Sequence, residues 1–356
     1  MRGFFIRLIG NKNQEEFKPE TIQTVYIVGG RMGDIIVKTP MLEALSKLNK
    51  NLKIDIEVIK GGEYLVQNIP YINEVLVKNS YLKKSRFKRI LDSLKFSLKN
   101  RGKYDLYFDF TNNSRFFHIL SLKILSPKYL IGIHRLEKFG IRKDELTIFD
   151  KYVEVNSDAH AVDINMDFLE PLGLKGESTK YKLYLGQNEE KFKEYFDKNR
   201  INIVINHRAS TEKRSFNYAE LKEILIKLSK IDFKVKLYLA SMPNEYEKLK
   251  IVVEELDIEN IQLLMKTDTI GEFAGIIKYC DLVLSVDTGV VHIASVYDKP
   301  LVGVYPFSEN SYKLFAPRSS RYEVVRGTKE GYTIEGFSVD EIVEKTRAFI
   351  GEMNRL

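Results

Sequence analysis

Residues 280–306 read CDLVLSVDTGVVHIASVYDKPLVGVYP. Leu282–Val286 has the composition of a strand buried on both faces, and Asp287-Thr288-Gly289 that of a tight turn. Val290–Val296 follows as a short helix, and Lys299-Pro300 steps into the next strand from Leu301. Strand, turn, helix and strand in this order build a parallel sheet. The amides of residues 288–290 would open a helix, where backbone donors and the macrodipole together favour a phosphate. Thr288 adds a hydroxyl. His292, one turn in, either reaches the same anion or packs between helix and sheet, and Asp287 either caps the helix or serves the site.

The same alternation runs outward in both directions. Strands are expected at Thr24–Val28, Ile54–Ile59, Glu74–Val77, Tyr104–Phe110, Tyr129–Ile133, Ile201–Asn206, Lys234–Ala240 and Ile261–Leu264. Helical patterns lie between, at Met41–Leu48, Ala161–Leu172, Tyr218–Leu228, Asn244–Leu256 and Ile270–Lys278. The expected class is α/β, with two Rossmann-like domains whose parallel sheets face a central cleft. The polar stretch GLKGESTKYKLYLG, residues 173–186, marks the boundary, after which the pattern restarts with a helix near Glu189. The expected division is 1–178 and 179–338, with a last helix within 339–356 packing back on either half, the N-terminal one in particular.

Length agrees, since 356 residues make about two domains at roughly 150 each. At 44% apolar and 29% charged, with nine prolines, the chain is neither disordered nor collagenous. A single cysteine, Cys280, excludes an internal disulfide, and five scattered histidines lack ligand spacing. A reducing, cytoplasmic setting is expected, with no metal site and no cofactor. No apolar run approaches the ~20 residues of a spanning helix. The opening MRGFFIRLIGNKNQEE begins like a secretion signal, but Arg7 interrupts it and no small-residue cleavage site follows, so it reads as a surface-seeking extension.

The net charge of +7 is concentrated. Between Tyr81 and Lys103 stand nine basic residues and one acid, Asp92, so the rest of the chain is close to neutral. Phe87, Ile90, Leu91, Leu94 and Leu98 recur there at helical spacing, which predicts a basic amphipathic helix. It either packs its stripe on the core or offers a face to anionic lipid or a phosphorylated glycolipid. No nucleic-acid module accompanies the charge, so nucleic acid is not an expected partner.

Two more turns carry candidate chemistry. In VYIVGGRMGDIIVKTPMLEAL, residues 25–45, Gly29, Gly30 and Gly33 allow close approach of a substrate to the backbone. The spacing is not G-x-G-x-x-G, which disfavours a dinucleotide-dependent oxidoreductase. Asp34 stands at the carboxyl edge of the expected sheet, where it can be a first-turn helix acid, a proton acceptor for an attacking hydroxyl, or both. In INHRASTEKRSFNYAEL, residues 205–221, Lys213 and Arg214 lie beside Ser210 and Thr211, either as a solvated pair or as cations for a pyrophosphate leaving group.

Taken in order, RMGDIIVKTPMLEALSKL, NLKIDIEVI, NIPYINEVLV, KYDLYFDFTNNSR, DAHAVDINMDFLEPLGL, KRSFNYAEL and SVDTGVVHIASVYDKPLVGVYP resemble glycosyltransferase family 9, the ADP-heptose:lipopolysaccharide heptosyltransferases. The resemblance runs from about Thr24 to about Pro317, and Asp-Thr-Gly-x-x-His is its most specific element. It implies a GT-B fold and an inverting, metal-independent transfer of heptose from ADP-heptose to the inner core of lipopolysaccharide. Under it Asp34 is the general base, and Lys213 or Arg214, with Ser210 and Thr211, contacts the donor phosphates. Asp287, Thr288, Gly289 and His292 form the diphosphate site, and Glu245 lies near the nucleotide ribose. Gly30, Arg31, Gly33, Lys83, Lys84, Arg86, Lys88 and Arg89 fall on the acceptor side. The implied partners are the nucleotide diphosphate sugar, the lipopolysaccharide core and an anionic membrane surface at the cytoplasmic face of the inner membrane.

Two departures fall on the donor side. His207-Arg208-Ala209 stands where the family has small residues and glycine, and Ser215-Phe216-Asn217 where it has an aromatic-proline pair. A relative using another nucleotide sugar, and a non-catalytic nucleotide-sugar or glycan-binding protein, are the alternatives.

Overall fold

Buried apolar strands with helical connections can satisfy their backbones only by pairing in parallel, with helices over both faces. The computed structural model describes residues 2–79, 85–111, 115–134, 137, 139–142, 144–156, 158–232 and 234–354. The first part of the chain runs α1 (Arg2–Ile9), β1 (Thr24–Gly30), α2 (Met32–Leu45), β2 (Lys53–Ile59), α3 (Glu63–Val66), β3 (Ile72–Lys78) and α4 (Arg86–Lys99). It continues with β4 (Leu106–Asp109), α5 (Phe116–Leu125), β5 (Tyr129–Ile133), β6 (Lys151–Val153) and α6 (Ala161–Asp167). The second part runs β7 (Ile201–Asn206), α7 (Tyr218–Ser229), β8 (Val235–Leu239), α8 (Tyr246–Leu256), β9 (Ile261–Leu263) and α9 (Ile270–Ile277). It ends with β10 (Leu282–Val286), α10 (Gly289–Val296), β11 (Leu301–Tyr305), α11 (Glu309–Phe315), β12 (Tyr322–Arg326) and α12 (Val339–Met353).

The strands form two six-stranded sheets, ordered β3-β2-β1-β4-β5-β6 and β12-β11-β10-β7-β8-β9. Each is the doubly wound order 3-2-1-4-5-6, and the pairs β1–β4 and β7–β10, both parallel, mark the points where the strand order reverses. The chain divides into two compact units, Met1–Arg31 with Lys38–Thr179, and Met32–Val37 with Lys180–Leu356. In the second unit β10 and β11 are buried along their whole length, as strands covered on both faces must be.

Local chemistry sets the helix ends. Asn217 caps α7 in a reciprocal box with Glu220, Thr269 accepts from the Glu272 amide at the start of α9, and Ser338 accepts from that of Glu341 at α12. Such caps are each worth about 1 kcal/mol.

Several expectations are corrected. The final helix packs on the second unit rather than on the first: Ile342, Val343, Phe349 and Ile350 of α12 join the core that contains Leu221, Leu225 and Val302. Full burial of each such side chain favours folding by about 1.5–3 kcal/mol. No helix restarts at Glu189; a single 3-10 turn, Gly186–Glu189, stands there, followed by turns. The helix expected from Met41 begins at Met32 and carries Pro40 inside it. Edge strands β6 and β12 escaped the sequence pattern because they are short or half exposed.

The basic helix forms as α4, but its stripe is split: Ile90 and Leu94 are half buried, while Phe87, Leu91 and Leu98 face outward. Ser97 and Asn100 are buried, whereas Phe87 is 76% and Leu98 61% exposed. Lys83 and Lys84 lie outside the described residues. Among the described residues, no helix is long and apolar enough to cross a membrane.

Candidate active site

The second unit places its polar residues where β7 and β10 part. Asn206 ends β7 opposite Ser285 of β10, and its amide donates to Ser285 Oγ at 3.0 Å and to Thr288 Oγ1 at 3.1 Å. Thr288 caps α10 and accepts the Val290 amide at 3.3 Å. The amides of Thr288 and Gly289 find no acceptor among the described residues. Two neighbouring donors at a helix start are what an anionic oxygen needs.

Arg214 is bound into the protein. It is buried, and its Nη1 donates to the Asp287 carbonyl at 3.2 Å, to Asp287 Oδ2 at 3.4 Å and to the Tyr332 hydroxyl at 3.0 Å. Nη2 donates to Ser210 Oγ at 2.5 Å, and the guanidinium lies 4.5 Å from the centre of the Tyr332 ring. Burial raises the Asp287 carboxyl pKa, against the pull of Arg214 and the Tyr332 hydroxyl. Arg214 therefore fixes the turn before α10. Lys213 differs: its carbonyl accepts from the Ile334 amide and the Thr333 hydroxyl. Its exposed ammonium has no partner among the described residues. Thr211 is exposed, and its carbonyl accepts from the Arg214 amide and Ser215 Oγ.

The departures at 207–209 have structural roles. Arg208 pairs with Glu245, Nε to Oε1 at 3.4 Å, while Glu245 Oε2 is buried without a partner. Burial, and then the charge of Arg208, push the His207 pKa down to about 4, against a raising contact with the Ala240 backbone. Its Nδ1 is also buried and unpartnered. His292 is buried, with its ring edge-on to Tyr181 and Phe315, both 5.9 Å away. The first turn of α2 groups with this unit: a Cβ on Gly33 would come 3.0 Å from His292 Cδ2 and 3.7 Å from Gly289 Cα. Close backbone approach is why glycine stands at both positions. Asp34 occupies this same turn and is half buried.

In the first unit β1 bulges between Val28 and Gly30, and Gly30 has a φ of 88°, a left-handed conformation glycine adopts freely. Arg31 is exposed beyond it, and Arg86, Lys88 and Arg89 are exposed on the first turn of α4. Sequence reading missed the pair at the end of β4, where His118 Nε2 lies 2.9 Å from Oδ2 of the buried Asp109. It also missed Asn206, Ser285 and Tyr332, and it marked Arg208 only as a departure from the family pattern. A polar residue closing a buried apolar strand was a signal for Asn206; Tyr332 comes from a distant loop that no local pattern connects to Arg214.

Two outcomes test this geometry. Arg214→Met should lower the unfolding free energy by about 3 kcal/mol, because it leaves the buried Asp287 carboxylate without its cation, and adding Asp287→Asn should recover part of the loss. A solvated phosphate-binding cation would leave stability unchanged. His207 should impose a pH dependence. Its folded pKa, about 4, lies below the ordinary 6.5, so its contribution is intact above pH 6.5 and lost as pH falls toward 4. Between about pH 7 and pH 5 the native protein should lose about 2 kcal/mol more than His207→Gln in urea unfolding.

Comparison with known proteins gives the arrangement its context. The chain is 26% identical over 282 residues to the lipopolysaccharide core heptosyltransferase OpsX of Haemophilus influenzae, covering 78% of this chain and 76% of that one. The crystal structure of a family 9 glycosyl transferase from Veillonella parvula superposes with a TM-score of 0.68 at 18% identity, over 93% of this chain and 97% of that one. The Escherichia coli ADP-heptose lps heptosyltransferase II does so with a TM-score of 0.67 at 16% identity, over 94% and 100%. These two likenesses are of fold, the GT-B arrangement of two Rossmann-like units. Residues 134–336, more than half of the chain, match the profile of glycosyltransferase family 9 (heptosyltransferase), and with the doubly wound units and the Asp-Thr-Gly-x-x-His turn already described, the protein belongs to that family of glycosyltransferases.

Proposed function

We propose that the protein transfers a heptosyl group from ADP-heptose to a sugar hydroxyl of the lipopolysaccharide core, with inversion at the anomeric carbon and without a metal, at the cytoplasmic face of the membrane. The donor is supported by the name of the E. coli heptosyltransferase of like fold, and the acceptor by that of the H. influenzae relative. The observation that carries the reading is the start of α10, where the Thr288 and Gly289 amides are left unengaged behind a cap held by Asn206.

The diphosphate oxygens accept from those amides, with Lys213 as the mobile cation beside them. Arg214 and Asp287 hold the turn, with Ser210 and Thr211 on the same loop. Glu245 Oε2, buried and unpartnered, accepts from a ribose hydroxyl while Arg208 orients the carboxylate. His292 shapes the floor beneath Gly33. Asp34 takes the proton of the acceptor hydroxyl as that oxygen bonds to the anomeric carbon. The bond from that carbon to the diphosphate breaks, and the departing negative charge is met by donors already in position. Gly30, Arg31 and the first turn of α4 (Arg86, Lys88 and Arg89) serve the anionic acceptor.

Asp34→Asn should lower kcat by about 10²–10⁴-fold with donor binding unchanged. Normal turnover would remove Asp34 as the base, and donor binding without product from the native protein on any core acceptor would favour a glycan-binding role. Lys213→Met should weaken ADP binding about tenfold or more, as loss of a charge-assisted hydrogen bond does. Unchanged affinity in calorimetry would exclude it from the phosphate site.

A further inference from the structure

Three helices of the first unit form one layer. The middle one, α5, packs against α4 on one side and α1 on the other. Ser93 of α4 bonds Ser121 of α5 at 3.0 Å, and Ile6 of α1 shares a core with Ile119 and Leu122. Each helix therefore has its inner face satisfied. Their outer faces carry large apolar side chains among the charged ones.

On α1, Phe4 and Leu8 lie one turn apart, 65% and 63% exposed, with Phe5 beside them. On α5, Phe117 is exposed, and on α4 so are Phe87, Leu91 and Leu98, which share one side of the helix at spacings of four and seven residues. Burying such side chains is what usually decides where an amphipathic helix goes, yet here Phe87, Leu91 and Leu98 point away from the core while Ile90 and Leu94 are half buried. Cations surround it: Lys88, Lys95 and Lys99 stand exposed on α4, and the helix has one acid, half-buried Asp92. Glu145 beside α1 is engaged by Arg7. Where the first turns of α4 and α5 meet, Arg86, Arg89, Arg115 and His118 line a hollow of about 210 Å³. These turns follow β3 and β4, so they lie at the carboxyl edge of the sheet, the edge that ends in Gly30.

We propose that this layer docks the protein on an anionic lipid bilayer, with Phe4, Leu8 and Phe87 entering the acyl boundary and the lysines of α4 meeting the headgroups. Apolar side chains set among cations, with acids few or already paired, match a charged bilayer. A second copy of the same face would bring like charges together. The proposal stands on the surface alone and is independent of the reaction.

The test is flotation of the full chain with vesicles of phosphatidylethanolamine containing about one part in four of phosphatidylglycerol, against pure phosphatidylcholine. The native protein should bind the anionic vesicles about tenfold more tightly, with the difference shrinking at ~0.5 M salt. Phe4→Ser/Leu8→Ser should cut binding about tenfold at every salt concentration. Lys95→Glu/Lys99→Glu should abolish the preference for anionic vesicles. All four side chains are exposed, so melting temperatures should match the native value. Equal binding to both compositions, binding unaffected by either double variant, or a dimer that Phe4→Ser/Leu8→Ser converts to monomer would overturn the proposal.

Discussion

The parallel pairing of β7 with β10 is the constraint on which the candidate site depends. At that pair the strand order reverses, so the connections leaving the two strands diverge and their carboxyl ends open to a ligand. Asn206 at the end of one strand binds Ser285 and Thr288 at the end of the other. That bridge holds the α10 cap in place and so determines where the two unengaged amides point. The pair β1–β4 provides the equivalent point in the first unit, between the glycine turn after β1 and the Asp109–His118 pair after β4.

Charge in the second unit is divided between structure and chemistry. Arg214 and Lys213 are neighbours in sequence and identical in the reading a motif gives them, but one is buried against Asp287, Ser210 and Tyr332 while the other is exposed. A buried guanidinium requires most of its donors to be met, which is costly to arrange and costly to disrupt. The exposed ammonium keeps its conformational freedom, and in the proposed reaction its charge is the one offered to the donor phosphates. Glu245 shows the same division within one side chain, with one oxygen paired with Arg208 and the other buried without a partner.

The residues at 207–209 and 215–217 that depart from the family pattern also find physical reasons. His207 is tolerated behind Arg208 because it stays neutral inside the unit. Asn217 replaces a proline pattern with a side-chain cap that starts α7, and Phe216 is buried in the core. In the first unit the apolar stripe of α4 is as regular as a core-facing pattern, yet the packing against α5 buries only its Ile90 and Leu94 side in part and leaves Phe87, Leu91 and Leu98 outside.

Residue order determined the alternation of strand and helix, the division near residue 178 as an expectation, and the identity of the turns at Gly30–Asp34, Ser210–Arg214 and Asp287–His292. Those features are local: burial periodicity, turn residues and caps act over a few positions, so they are written in the chain itself. The pairing of Arg214 with Asp287 and Tyr332, the capture of Asn206 by the α10 cap, the packing of α12 on the second unit and the direction of the α4 stripe come from residues far apart in sequence. Only the three-dimensional packing decides such contacts. Which face of a helix is covered, and which of two like charges is buried, depends on the elements that arrive beside it, and no short pattern records them.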